Sequence, residues 1–172
     1  MVTSERDVIE KRRNIQALKN EKLRAQRKVT QQMRTGLADD EKELVAVIGQ
    51  LGNHYDGLIV VVEGRSDEKV LRALGLDIPI VKTQSRLGRP ELIDKIADLA
   101  GNKGQVLVLT DFDPEGRELS RYLQRELEAH RIKVLRELRR RISHLMGGRR
   151  CVEDLTVLLK KEDAHGMAGL GA

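Results

Sequence analysis

Leu58-Ile59-Val60-Val61-Val62 places five apolar, mostly β-branched residues in a row. A strand with one wet face alternates apolar and polar side chains, so an unbroken run requires cover on both faces. A parallel sheet flanked by helices gives that cover. The remaining pattern agrees. Ser66 with Lys69 to Leu74 reads as a capped helix, and Ile78 to Val81 as a short second strand. Pro90 suits the first turn of a helix running to about Ala100. Val106 to Leu109 is a third strand. Pro114 to His130 is a long helix with Leu119, Tyr122, Leu123 and Leu127 on one face. Ile132 to Leu135 is a weak fourth strand, and Glu137 to Met146 a helix ended by Gly147-Gly148. Val152 to Lys160 fits neither pattern cleanly. Strands alternating with helices predict an α/β fold with about four mostly parallel strands.

Charge divides the chain further. Residues 1–35 hold ten Lys/Arg and four acids, a net of +6, so residues 36–172 carry −1 of the total of +5. This arm has no Pro or Gly and many good helix formers. It reads as a basic helical arm that binds nucleic acid, or a protein partner through Ile9, Ile15, Leu18 and Leu23. Gly36 ends it, and Asp39 and Asp40 open a linking helix within 36–56. The α/β domain is expected over 57–160, with a disordered Gly/Ala-rich tail over 161–172.

Several classes fall away. Aromatic residues are 2% of the chain, too few for a base-stacking platform. One cysteine, Cys151, excludes a disulfide framework or a thiolate zinc cluster and reads as an inert thiol. No apolar run is long enough to span a membrane, and no signal-peptide core follows the first residues. A cytoplasmic address is the simplest expectation. The four His have no ligand spacing, and no P-loop or hydrolase elbow is present.

Ligand sites in open α/β sheets lie just past the carboxyl ends of the strands. The first strand ends Glu63-Gly64, and the third ends Asp111-Phe112-Asp113-Pro114-Glu115-Gly116. Asp111 and Asp113 are two apart on an extended segment and project together. Paired carboxylates with water and phosphate oxygens suit Mg²⁺ or Mn²⁺. Asp-x-Asp before Pro is also ordinary helix-capping chemistry. Glu63 joins the same crevice if the two strands are neighbours. Lys82, Arg86 and Arg89 follow the second strand and open toward that crevice. Arg136, Arg139 and Arg140, with Arg141 beside them, form a basic helix suited to phosphates or simply to solvent.

Ile59 to Gly64 (IVVVEG) and Val106 to Gly116 (VLVLTDFDPEG) together resemble the Toprim domain, the catalytic module of topoisomerases, bacterial primases and several nucleases. The resemblance covers roughly Gly57 to Leu135. Arg136 to Arg141 and Val152-Glu153-Asp154-Leu155 extend it toward the small stand-alone, primase-like Toprim proteins of archaea, themselves similar to the bacterial 5S rRNA maturation nuclease. It implies a compact Rossmann-like fold, an acid/base Glu at Glu63, and Mg²⁺-binding acids at Asp111 and Asp113, with Glu63 a further metal ligand. A topoisomerase needs a nucleophilic Tyr in a separate domain, and both Tyr55 and Tyr122 read as packing residues. A primase needs a zinc-binding part that one Cys cannot build. Mg²⁺-dependent cleavage of structured RNA, of the ribosomal RNA maturation type, is the expected activity. The alternatives are a non-catalytic RNA- or ribosome-binding factor, and a Toprim subunit of a multi-protein nuclease or topoisomerase.

Overall fold

The computed structural model describes residues 14–22, 24 and 37–166. Its elements run α1 (Asp39–His54), β1 (Leu58–Val62), α2 (Arg65–Ala73), β2 (Ile80–Lys82), α3 (Arg89–Ala100), β3 (Gln105–Val108), α4 (Pro114–Ala129), β4 (Lys133–Val134), α5 (Arg136–Leu145), a 3₁₀ turn (Val152–Leu155) and α6 (Thr156–Gly166). The four strands form one parallel sheet in the order β2-β1-β3-β4. The α/β expectation holds, with small shifts at element ends. Strand pairing starts at Ile80 rather than Ile78 because Pro79 has no N–H; its carbonyl instead accepts from Val60 N at 3.0 Å.

Each β1 residue is buried, and alternate side chains enter two separate cores. Leu58, Val60 and Val62 meet Leu107, Leu109 and residues of α1, α2, α5 and the carboxyl-terminal segment. Ile59 and Val61 meet Val106, Val108 and the apolar sides of α3 and α4. The unbroken apolar run is thus the signature of a strand clasped from both sides.

Two boundaries change. The expected linking helix is α1, and it is part of the core: Leu44, Val45, Ile48 and Leu51 are buried. Their 3–4 spacing makes one apolar face, which a solvated linker would not need. Within the expected tail, α6 continues to Gly166, because Val152, Leu155 and Leu158 bury a face that anchors it. Residues 167–172 lie outside the described residues. Of the basic arm, 14–22 and 24 are helical, and Ile15 and Leu18 are exposed. The rest of the arm lies outside the described residues. No described helix is long and apolar enough to cross a membrane.

Candidate functional site

β1 and β3 are direct neighbours, so the residues that follow them meet at one edge of the sheet. Glu63 Oε1 accepts from Asp111 N at 3.0 Å, joining the two strand ends. The β3–α4 loop is fixed on every side. Thr110 is fully buried, and its Oγ1 donates to Gly116 O at 2.7 Å. Asp113 caps α4 by accepting from Gly116 N at 2.7 Å. Asp111 Oδ1 accepts from Val152 N at 3.0 Å, and Phe112 N donates to Arg150 O at 2.6 Å. A side chain on Gly116 would bring its Cβ within 2.3 Å of Asp111 O, so the loop requires glycine there.

A fourth carboxylate belongs to this edge. Asp67, buried in the first turn of α2, accepts from Gly64 N at 2.9 Å. Glu63 is pushed up from the ordinary carboxylate value, first by burial and then by repulsion from Asp111, Asp113 and Asp67, against the pull of the Asp111 amide. Asp67 is also raised, by burial and by Asp111. Cys151 is pushed up to about 11 by burial, Asp111 and Asp154 among the causes. That agrees with an inert thiol.

Arg139 lies behind the acids. It was expected on a phosphate-binding surface, and this is corrected: only 9% of it is exposed. Its guanidinium donates to Val108 O and Thr110 O, each at 2.8 Å, and to Asp111 O at 3.2 Å, while stacking 4.4 Å from the Phe112 ring centre. Its position follows from helix geometry, because it belongs to the same inward stripe as Leu138, Ile142 and Leu145. Burial, then Arg117, lowers it to about 10, so it stays charged at neutral pH. It holds the backbone under Asp111 through carbonyl bonds, and its charge also acts on Glu63 and Asp111.

The other expected basic residues separate. Arg89 lines a cavity of about 650 Å³ together with Glu63, Glu115, Arg121, Tyr122 and Arg125. Arg89 and Arg125 lie 5.0 and 5.7 Å from the Tyr122 ring centre, so that ring packs on the core and also carries two cations. Lys82 is paired with Glu68, and Arg86 is exposed. Arg136 makes two 2.7 Å bonds to Glu128, and Arg140 pairs with Glu137 at 2.9 Å. Arg141 pairs with Glu43. The basic helix is therefore largely matched by acids along its exposed side.

Among the described residues, no three His, Cys, Asp or Glu side chains form a closed metal cage. The donor set is nonetheless hard oxygen, and Mg²⁺ usually keeps several waters and takes only one or two carboxylates. Asp111 and Asp113 each engage one oxygen with a backbone amide, and the Cys151 thiol also lies against the Asp111 carboxyl. The residues fit a hydrated ion and do not fit a three-carboxylate cage.

Comparison with known proteins finds relatives in sequence and one likeness in fold. A UPF0292 protein of Thermococcus onnurineus is 38% identical over 108 residues, 63% of this chain and 76% of the relative. The chain belongs to the UPF0292 family. A member from Pyrococcus horikoshii is 39% identical over 104 residues, 60% of this chain and 74% of its own. One from Methanocaldococcus jannaschii is 32% identical over 124 residues, 70% and 92% respectively. No family model matches the chain. A solved structure of a protein from Aquifex aeolicus aligns with a TM-score of 0.53 at 16% identity, over 65% of this chain and 94% of that one. That likeness extends to the fold alone.

Proposed function

We propose that this UPF0292 protein is a Toprim-type nuclease that cleaves phosphodiester bonds in structured RNA with Mg²⁺, Mn²⁺ serving as a substitute. One observation carries the reading. Four carboxylates, Glu63, Asp67, Asp111 and Asp113, gather at the carboxyl edge of neighbouring strands, where burial first and then repulsion between them raises Glu63 and Asp67. The nearest buried cation, Arg139, is bonded to carbonyls instead. Such an edge attracts a cation from solution.

Asp111 and Asp113 would hold the metal through their carboxylate oxygens. The bound ion would neutralise non-bridging phosphate oxygens and lower the pKa of its water. Glu63, raised by burial and by the neighbouring acids, would be the proton-transfer group. Its Oε1 is fixed by the Asp111 amide, which leaves Oε2 for that transfer. Arg89 and Arg121, in the adjoining cavity, supply positive charge for the scissile phosphate and its neighbours.

A second reading has its own support. All four acids bond to backbone amides and no closed cage forms among the described residues, which also suits a non-catalytic RNA- or ribosome-binding factor. Incubating the purified chain with structured ribosomal RNA precursors, with Mg²⁺ and with EDTA, separates the two. Metal-dependent multiple-turnover cleavage supports the nuclease. Tight binding without cleavage supports the binding factor.

A further inference from the structure

α4 and α5 face each other across a second cavity, of about 330 Å³, of whose arginines the proposed chemistry uses only Arg121. α4 contributes Arg117 and Arg121, four residues apart and so on one face. α5 contributes Arg136 and Arg140 with the same spacing, and Arg139 closes the floor. Among the described residues, no carboxylate lines this groove. Glu128 and Glu137 offset Arg136 and Arg140 from outside, and Glu63 and Asp111 act on Arg139, so Arg117 and Arg121 are the charges left uncompensated. Arg117 and Arg121 make no ion pair among the described residues.

Two facing rows of like charge are unfavourable unless an anion lies between them. The polar lining is suited to one. Ser143 lies on the α5 side, and buried Ser120 is held by Gln124 Nε2 at 2.9 Å, so its hydroxyl hydrogen remains free to donate. Arg121 also lines the cavity that contains Glu63, so the groove and the acidic edge share a wall.

We infer that the α4–α5 groove binds the backbone phosphates of a nucleic-acid strand, which passes over Arg121 toward Glu63. The direction of the strand rests on the proposed nuclease reading; the groove's affinity for phosphate does not. Exposed guanidiniums bind phosphate oxygens bidentately and without regard to base. Arg117 and Arg121 are therefore the main strand contacts, ahead of the acid-paired Arg136 and Arg140.

The test uses the full chain and a fluorescently labelled RNA hairpin in EDTA, read by anisotropy over a range of salt. Arg117→Ala with Arg121→Ala is expected to weaken binding by roughly 10-fold and lower the salt slope by about 1 to 2. Arg117→Lys with Arg121→Lys should recover most of the slope, because the charge returns. A hairpin bearing a 5′-hydroxyl should bind within about twofold of its 5′-phosphorylated form. Unchanged binding by the double alanine variant would overturn the groove, even if the chain cleaves RNA with metal. Strong loss on removing the 5′-phosphate would overturn the backbone assignment. Arginine-dependent binding by a chain that never cleaves RNA would leave the groove standing and remove the nuclease.

Discussion

Replacing Arg139 by methionine removes the donors beneath the acidic edge while keeping most of the side-chain volume. The guanidinium gives two bonds of 2.8 Å and one of 3.2 Å to carbonyls of Val108, Thr110 and Asp111. A hydrogen bond to a charged group contributes about 1.5–3 kcal/mol, and a carbonyl left buried and unpaired costs about 1–3 kcal/mol. The stack on Phe112 adds about 1 kcal/mol. These values overlap, because water can reach part of the vacated space. Arg139→Met is therefore expected to cost about 3–5 kcal/mol, a third or more of the stability of an ordinary domain. For a chain of this size the melting temperature would fall by roughly 6–20 °C. Urea unfolding of both proteins at pH 7 and constant salt measures the difference. Arg139→Lys should fall between the two, since an ammonium can reach fewer of the carbonyls at once. Hydrogen exchange should accelerate first at Asp111 and Phe112, whose loop loses its floor. A cost under about 1 kcal/mol for Arg139→Met, with exchange there unchanged, would refute the reasoning.

Glu41 is buried beneath Arg149 and Lys161, and its amide bond from Ala38 is 3.0 Å. Burial alone would raise it, but Lys161, the Ala38 amide and Arg149 outweigh burial and hold it at about 2, below its usual 4.5. A lowered acid stabilises the fold above its unfolded value and loses that contribution as pH falls toward the folded value. Glu41→Gln should thus cost about 1–2 kcal/mol at pH 7, after allowance for the partly exposed cations, and progressively less below pH 4.5 in urea titrations. A cost that is the same at pH 7 and pH 3 would contradict this. Gly116→Ala should destabilise by about 2 kcal/mol or more, because its Cβ meets Asp111 backbone at 2.3 Å; calorimetry reads it. Mg²⁺ at about 100 times its Kd should add about 2.7 kcal/mol, or roughly 5–10 °C in melting temperature. Asp111→Asn with Asp113→Asn should abolish that gain, and an equal gain in the double variant would remove the metal assignment.

The sheet was legible because Leu58 to Val62 and Val106 to Leu109 are apolar without interruption, which leaves a two-sided sheet as the economical solution. The meeting of Glu63 with Asp111 was conditional on β1 and β3 being neighbours; they are, although β2 lies between them in the chain, and no local pattern reveals that order. Arg139 was misread because composition treats an arginine among arginines as solvated. Position gives the better signal: it completes the 3–4 stripe of Leu135, Leu138 and Ile142, so its side chain turns inward. The acid partners of Arg136 and Arg141 are eight and ninety-eight residues away, and no local spacing reveals them. Asp67 was passed over because an acid in a first helical turn is ordinary capping chemistry. Only the sheet edge above it brings Asp67 near Asp111.

The central claim is that Glu63 moves a proton during metal-dependent cleavage of RNA. Glu63→Gln keeps the shape and can still accept from the Asp111 amide, but cannot act as a base or acid. Cleavage of a structured ribosomal RNA precursor should be measured for both proteins with saturating Mg²⁺. The account predicts a loss of at least ~10²-fold in turnover with folding and metal response retained. Equal turnover by the two proteins, or none by the wild-type chain under any divalent metal, would contradict it.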